Sequence, residues 1–321
     1  MNVLSLFDGI SCGQIALERA NIHVDHYFAS EIDKHAIKVT MANYPNTIQL
    51  GSVVNVRGQD LPAIDLLIGG SPCQGFSFAG KQLNFEDPRS KLFFEFVRLL
   101  KEVKPKYFLL ENVKMKQEFQ DVISDYLGVK PVEINSALVS AQNRKRLYWT
   151  NIPIQGLPDD KGIMLPDIVL EGDFPEYECK DDRLFYFLEK EVERGKVGYF
   201  GKDAQANRVY YLHGKSITLM SAKTKMGHYL FGVLTPDRRE KRQNGQRFND
   251  GKKFYTLTAQ DRHGIFKDGI MRRLLPVECE RLQTVPEQYT SCVSEAQRYK
   301  MLGNGWTVDV IAWIFKHMSA A

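Results

Sequence analysis

Apolar residues fall into two alternating patterns along positions 1–150. Val3–Phe7, Tyr27–Ile32, Asp65–Ile68 and Tyr107–Leu110 are short apolar runs of strand length. Between them, Gly13–Ala20, His35–Asn43 and Lys91–Val103 read as helices. The clearest is Lys91–Val103, where Leu92, Phe93, Phe96, Leu99, Leu100 and Val103 recur at helical spacing. A helix near Gln117–Leu127 and strands at Val132–Asn135 and Arg146–Asn151 complete the series. This alternation predicts an α/β fold, a mostly parallel sheet with helices on both faces. Ligands bind such sheets beyond the C-terminal ends of the strands.

Past Ile152 the pattern changes. Residues 153–260 are rich in Gly, Asp, Lys and Arg, with short β-like runs at Arg208–Leu212, Ser216–Leu219 and Phe254–Thr258. One helix is expected there, Asp182–Arg194. Order returns at Met271–Gln283, and a helix is expected at Thr307–His317. The division that follows is a first domain at 1–155, a smaller irregular domain at 156–268, and a segment at 269–321 that returns to complete the first.

Charge sharpens this division. The formal net charge is only +4. From Asp159 to Glu193 there are 12 acids against 4 bases, whereas Arg194 to Arg262 holds 15 Lys and Arg against 5 acids. A basic block on a near-neutral chain points to a polyanion. The five cysteines, Cys12, Cys73, Cys179, Cys279 and Cys292, are odd in number, widely spaced and without a CxxC pair. That argues against a disulfide framework or a zinc site, and no metal is expected. No apolar run approaches membrane-span length, and the N-terminus lacks signal-peptide character. A cytoplasmic location is expected.

The strand ends carry the candidate chemistry. The first ends in Phe7-Asp8-Gly9-Ile10-Ser11-Cys12-Gly13, a glycine turn without the full G-x-G-x-x-G spacing. The second ends at Glu31, where such folds bond a ribose. Together they point to an adenosine-containing cofactor. The third runs into Pro72-Cys73-Gln74-Gly75, and the fourth into Glu111-Asn112-Val113. A cysteine in so open a loop is a candidate nucleophile if basic neighbours raise its thiolate fraction, and Arg144 and Arg146 are candidates for that.

These motifs, in this order, resemble the S-adenosylmethionine-dependent DNA cytosine-5 methyltransferases of bacterial and phage type. The resemblance adds Gln142-Asn143-Arg144-Lys145-Arg146, the run from Arg272 to Gln283, and Leu302-Gly303-Asn304-Gly305-Trp306-Thr307-Val308. It implies a Rossmann-like methyltransferase domain with a target-recognition domain at 156–268. It also implies catalytic roles for Cys73, Glu111, Arg144 and Arg146. Cys73 would attack C6 of a flipped-out cytosine, Glu111 would meet N3 and the exocyclic amine, Arg146 would face O2, and Arg144 would orient the thiol loop or touch phosphate. Phe7, Asp8, Gly9, Gly13, Glu31, Ile32, Ser52, Pro72, Asn304 and Trp306 would line the cofactor pocket.

Gln74, Ser77, Lys81 and Arg89 would contact DNA from the catalytic loop. Arg208, Lys223, Lys225, Arg238, Arg239, Arg242, Arg247 and Arg262 are the recognition candidates. A monomer acting on duplex DNA is expected, with a restriction endonuclease of the same system as a further candidate partner. Two departures stand out. Ser52 occupies a place where the family usually has an acid, and Trp306 one where it usually has valine. Two other readings stay open, a tRNA cytosine-5 methyltransferase and a non-catalytic DNA-binding homologue.

Overall fold

The computed structural model describes residues 1–71, 88–178, 185–192, 196–200, 208–210, 230–234, 252–259, 263–267 and 270–318. For 88–90, 185–192, 196–200, 208–210, 230–234, 266–267 and 270–271 the backbone alone is described. The expected Ser216–Leu219 run lies outside the described residues, as do Cys73 and Cys179.

The first part of the chain forms β1 (Asn2–Leu6), α1 (Cys12–Arg19), β2 (His26–Ser30), α2 (Lys34–Asn43), β3 (Ile48–Gln49), β4 (Leu66–Gly70), α3 (Pro88–Val103), β5 (Tyr107–Val113), α4 (Gln117–Leu127), β6 (Val132–Asn135) and β7 (Lys145–Thr150). Seven strands make one sheet in the order β3-β2-β1-β4-β5-β7-β6. The pairs among β1 to β5 are parallel, and β7 runs antiparallel to both β5 and β6. The sheet order reverses between β1 and β4, which makes the crevice beyond their C-terminal ends the natural ligand site.

Period-two alternation explains the double covering. Val3, Tyr27, Ala29, Leu66, Ile68, Tyr107, Leu109 and Tyr148 belong to one core. Their neighbours Leu4, Leu6, Phe28, Leu67, Phe108, Leu110, Leu147 and Trp149 belong to another, under Phe93, Phe96 and Leu99 of α3 and Ile123 of α4. By the same alternation Glu111 projects from the face of Leu109, and Arg146 from the face of Tyr148.

Further along come α5 (Leu165–Ile168), the strands β8 (Phe185–Val192), β9 (Lys196–Phe200) and β10 (Arg208–Tyr210), then β11 (Leu230–Leu234), β12 (His263–Lys267) and β13 (Ile270–Arg273). They form two three-stranded antiparallel sheets, β10-β9-β8 and β11-β12-β13. The helix expected at Asp182–Arg194 is therefore a strand over Phe185–Val192. The run FYFL favours a pleated backbone, and pairing with β9 outweighs the weak helical spacing. The run expected at Phe254–Thr258 makes only a bridge from Phe254 to Gln142.

The chain closes with α6 (Pro276–Leu282), α7 (Glu295–Asn304) and α8 (Val308–Phe315). Leu165, Ile168, Phe254, Leu257, Ile265, Leu302 and Val310 all join the core that covers the Val3 face. The closing segment is tied to the start of the chain. Arg19 Nη1 donates to the Thr284 carbonyl at 2.5 Å and to Asp309 Oδ1 at 2.6 Å, and the Tyr289 hydroxyl donates to the Ile10 carbonyl at 2.8 Å. Among the described residues no helix is long and apolar enough to cross a membrane.

Candidate active site

Beyond β1 the backbone is left-handed at alternate residues, Phe7 at φ 57°, Gly9 at 59° and Ser11 at 57°. Two of these are not glycine, and such conformations concentrate where a loop is held for function. The holding groups are polar. Ser11 Oγ donates to Asp8 Oδ2, and the Tyr27 hydroxyl donates to Asp8 Oδ1 at 2.8 Å. Burial pushes the Asp8 carboxyl up to about 6, against the hydrogen bonds from Ser11, Ser5 and Tyr27. Glu31 accepts three backbone N–H groups, from Gly9 at 2.8 Å, Ile32 at 2.7 Å and Asp33 at 2.8 Å. The glycine turn and the end of β2 are thus one unit.

That unit has open ground around it. A Cβ on Gly9 or Gly51 would meet nothing within 4 Å. Ile32 is 77% exposed and Val54 47%, large apolar side chains left in solvent. Ser30 Oγ donates to the Gly51 carbonyl at 2.7 Å, which sets Ser52 beside the end of β2. These residues suit an adenosine-bearing ligand, with open backbone, an acid and apolar surface for a flat ring. Gly13 has a different task. A Cβ there would lie 2.5 Å from Ile68 Cδ1 and 2.8 Å from the Tyr27 hydroxyl, so its bareness lets α1 sit on the sheet.

The second half of the site lies where β4 meets β5. Their parallel register pairs Gly70 with Glu111, so Glu111 stands beside the end of β4, three residues before Cys73 in sequence. β5 extends to Val113, which places Glu111 and Asn112 within the strand. The buried Asn112 donates through Nδ2 to Ser71 Oγ at 3.1 Å, and its Oδ1 accepts from the Val113 N–H at 2.8 Å. Arg146 Nε lies 3.0 Å from Glu111 Oε1. The Trp306 indole N–H donates to Glu111 Oε2 at 3.1 Å. Pro72, Cys73, Gln74, Ser77 and Lys81 lie outside the described residues. So do Arg238, Arg239, Arg242, Arg247 and Arg262, with Lys223 and Lys225, while Arg89 and Arg208 are described in backbone only.

Arg144 is 3% exposed, and its guanidinium donates to the carbonyls of Leu257 at 2.7 Å, Gly303 at 3.3 Å and Gly305 at 2.9 Å. These bonds clasp the late segments onto β7. Burial pulls the guanidinium down to about 9, which still leaves it charged at neutral pH. Gly303 belongs to the same clasp, since a Cβ there would lie 2.3 Å from the Thr258 carbonyl carbon. Gln142, Gln283 and Thr307 extend it as a buried polar net, with Gln283 Nε2 donating to the Leu302 carbonyl at 2.6 Å and Thr307 Oγ1 to Gln283 Oε1 at 2.9 Å. Asn304 is exposed beside it.

Sequence reasoning missed the partner of Glu111 on the late segment and the tether from Asn112 to Ser71. The unusual tryptophan after Gly305 was the available signal for the first. The adjacent Glu-Asn pair was the signal for the second.

A mostly parallel sheet with a glycine turn beyond β1 and an arginine-paired acid on β5 is the Rossmann-like arrangement of a group-transfer enzyme. The sequence profile of the C-5 cytosine-specific DNA methylase family matches residues 1–127 and 137–320, and the chain belongs to that family. It is a DNA cytosine-5 methyltransferase. It is 29% identical to the orphan methyltransferase M.SPRI of Bacillus phage SPR, over 99% of this chain and 97% of that protein. It is 30% identical to the type II methyltransferase M1.ScrFI of Lactococcus lactis subsp. cremoris, over 98% of this chain and 77% of that protein. The fold matches that of the Entamoeba histolytica methyltransferase EhMeth with a TM-score of 0.65 at 16% identity, covering 99% and 97% of the two chains.

Proposed function

We propose that this enzyme transfers the methyl group of S-adenosylmethionine to C5 of a cytosine flipped out of duplex DNA, through a covalent bond between Cys73 and C6. The observation that carries the reading is Glu111, paired in register with Gly70 at the end of β4 and 3.0 Å from Arg146 Nε.

Cytosine C5 is a poor nucleophile. Attack of the Cys73 thiolate on C6 forms a C–S bond and pushes an electron pair into the ring. Glu111 supplies a proton at N3, and Arg146 faces the O2 side, so the charge that builds there is met. C5 thereby becomes an enamine-type carbon. After methylation C5 loses its proton to a base, the C5–C6 double bond reforms, Cys73 leaves as thiolate, and the N3 proton returns to Glu111. The cofactor supplies an electrophilic methyl group when bound, and Phe7, Asp8, Gly9, Glu31, Ile32, Ser52, Pro72 and Asn304 would hold it. Extruding the base costs roughly a few kcal/mol. Gln74, Ser77, Lys81 and Arg89 on the loop, and the basic stretch 194–262, are the proposed DNA contacts. The 156–268 region is the proposed target-recognition domain.

Labelled-methyl transfer with duplex DNA and with total tRNA as parallel substrates tests this. Label is expected in DNA, and Cys73→Ser is expected to abolish it. Label confined to tRNA, or a fully active Cys73→Ser enzyme, overturns the reading. Bisulfite sequencing of DNA exposed to the enzyme then reads the recognised site.

A further inference from the structure

We propose that Trp306 is a positioning residue for Glu111, and that its indole N–H holds the carboxylate in the orientation that receives the target base. This rests on the role given to Glu111 above. Three observations support it.

The first is the hydrogen bond itself. The indole N–H can only donate, and it reaches Oε2 at 3.1 Å, while Arg146 Nε lies 3.0 Å from Oε1. A hydrogen bond on one oxygen and a cation against the other fix the carboxylate plane. A carboxylate has about four acceptor sites, so two remain, one to accept from the exocyclic amine and one to carry the proton that Glu111 gives to N3. Without Trp306, Arg146 alone would leave the carboxylate free to turn about one contact.

The second is the bare backbone beneath. A Cβ on Gly70 would lie 3.0 Å from Trp306 Nε1 and 3.1 Å from Glu111 Oε2. The indole and the carboxylate therefore meet directly over the last residue of β4, where a side chain would part them.

The third is how Trp306 is anchored. The main chain just before it lies against the buried Cys12, since a Cβ on Gly305 would lie 3.6 Å from Cys12 Sγ. Cys12 opens α1, directly after the glycine turn. The carbonyl of the preceding Gly305 is held by Arg144 at 2.9 Å and by Gln283 at 3.2 Å. One residue thus joins the cofactor side of the crevice through its main chain to the base side through its ring. Valine at this position could do only the first.

The test is a double-mutant cycle of Trp306→Phe and Glu111→Gln, read by single-turnover methyl transfer with enzyme in excess. Cofactor and duplex-DNA dissociation constants and thermal unfolding are measured on each variant. Phenylalanine keeps a flat ring and removes the N–H. Loss of a hydrogen bond to a charged group corresponds to about a tenfold fall in the transfer rate. That fall, with both dissociation constants within about twofold of wild type and a double variant no slower than Glu111→Gln alone, is the expected result. Effects that multiply overturn the inference, because Trp306 then acts independently of Glu111. A rate fall explained wholly by weaker cofactor binding overturns it too, since the ring is then only a wall of the pocket. Glu111→Gln at wild-type rate overturns the reading of Glu111 itself. Should Trp306→Phe fail to fold, Gly70→Ala drives a methyl between the same two atoms, and the same pattern is expected of it.

Discussion

The guanidinium of Arg144 reaches the carbonyl of Leu257 at 2.7 Å, across 113 residues of chain, and forks on to Gly303 and Gly305. The site is therefore assembled from segments far apart in sequence, and this side chain fastens them. Replacing Arg144 with Met strips this donor from the Leu257 and Gly303 carbonyls, while Gly305 keeps Gln283, at a cost of roughly 2–5 kcal/mol. Urea unfolding should show that loss as a lower midpoint with an unchanged slope. Arg144→Lys should recover only part of it, because a single ammonium does not reproduce the planar fork. Full recovery in the lysine variant would show that charge alone suffices.

A shorter tether holds the chain just past β4. The Asn112 amide donates to Ser71 Oγ at 3.1 Å, one residue before Pro72-Cys73 in sequence. Asn112→Ala removes this anchor and the acceptor for the Val113 N–H. The expected outcome is a loss of about 1–2 kcal/mol in stability and a fall in kcat of about tenfold. The KM for the cofactor should not move. Ser71→Ala should act in the same direction and more weakly. A kcat equal to wild type in Asn112→Ala would remove the tether from the account of catalysis.

Much of this architecture was legible from periodicity, because burial on both faces of a sheet writes two interleaved apolar sets into each strand. Val3 against Leu4, Leu66 against Leu67 and Tyr148 against Trp149 are examples. The strand-end acids Glu31 and Glu111 were legible for the same reason, as charges that end apolar runs. α7 was not. In EAQRYKMLGN only Met301, Leu302 and Gly303 are buried, too narrow a stripe to register as an apolar face. Phe185–Val192 was misread because strand pairing is a tertiary fact that local spacing does not record. The partner of Trp306 lies 195 residues away, and the roles of Arg144 and Gly303 depend on which backbone the fold brings against them. Sequence identified these residues as unusual or charged without saying what they touch.

Ser52, where the family resemblance implies an acid, stands beside the open Gly51 backbone. A neutral hydroxyl accepts a hydrogen bond from an adenine amino group more weakly than a carboxylate does, by about a factor of two in bond strength. Ser52→Asp should tighten S-adenosylmethionine binding by roughly five- to tenfold, about 1–1.4 kcal/mol. Isothermal titration calorimetry on the two proteins measures this directly. Equal or weaker binding in the aspartate variant would place the adenine away from Ser52.

Asp8 gives the protein a pH signature at the cofactor turn. Its carboxyl is raised from 3.8 to about 6, chiefly by burial. Between those values the folded protein holds a proton that the unfolded chain has lost. Stability from this group is therefore complete below about pH 4 and is lost as pH rises through about 6, a fall of about 2–3 kcal/mol. In Asp8→Asn that component is absent. The difference in unfolding free energy, wild type minus Asp8→Asn, should decline by that amount between pH 4 and pH 7 in cofactor-free protein. Titrations of groups not coupled to Asp8 cancel in the difference. A difference that stays flat across this window would mean that Asp8 is solvated in the folded state and that Ser11 and Tyr27 hold an ordinary carboxylate.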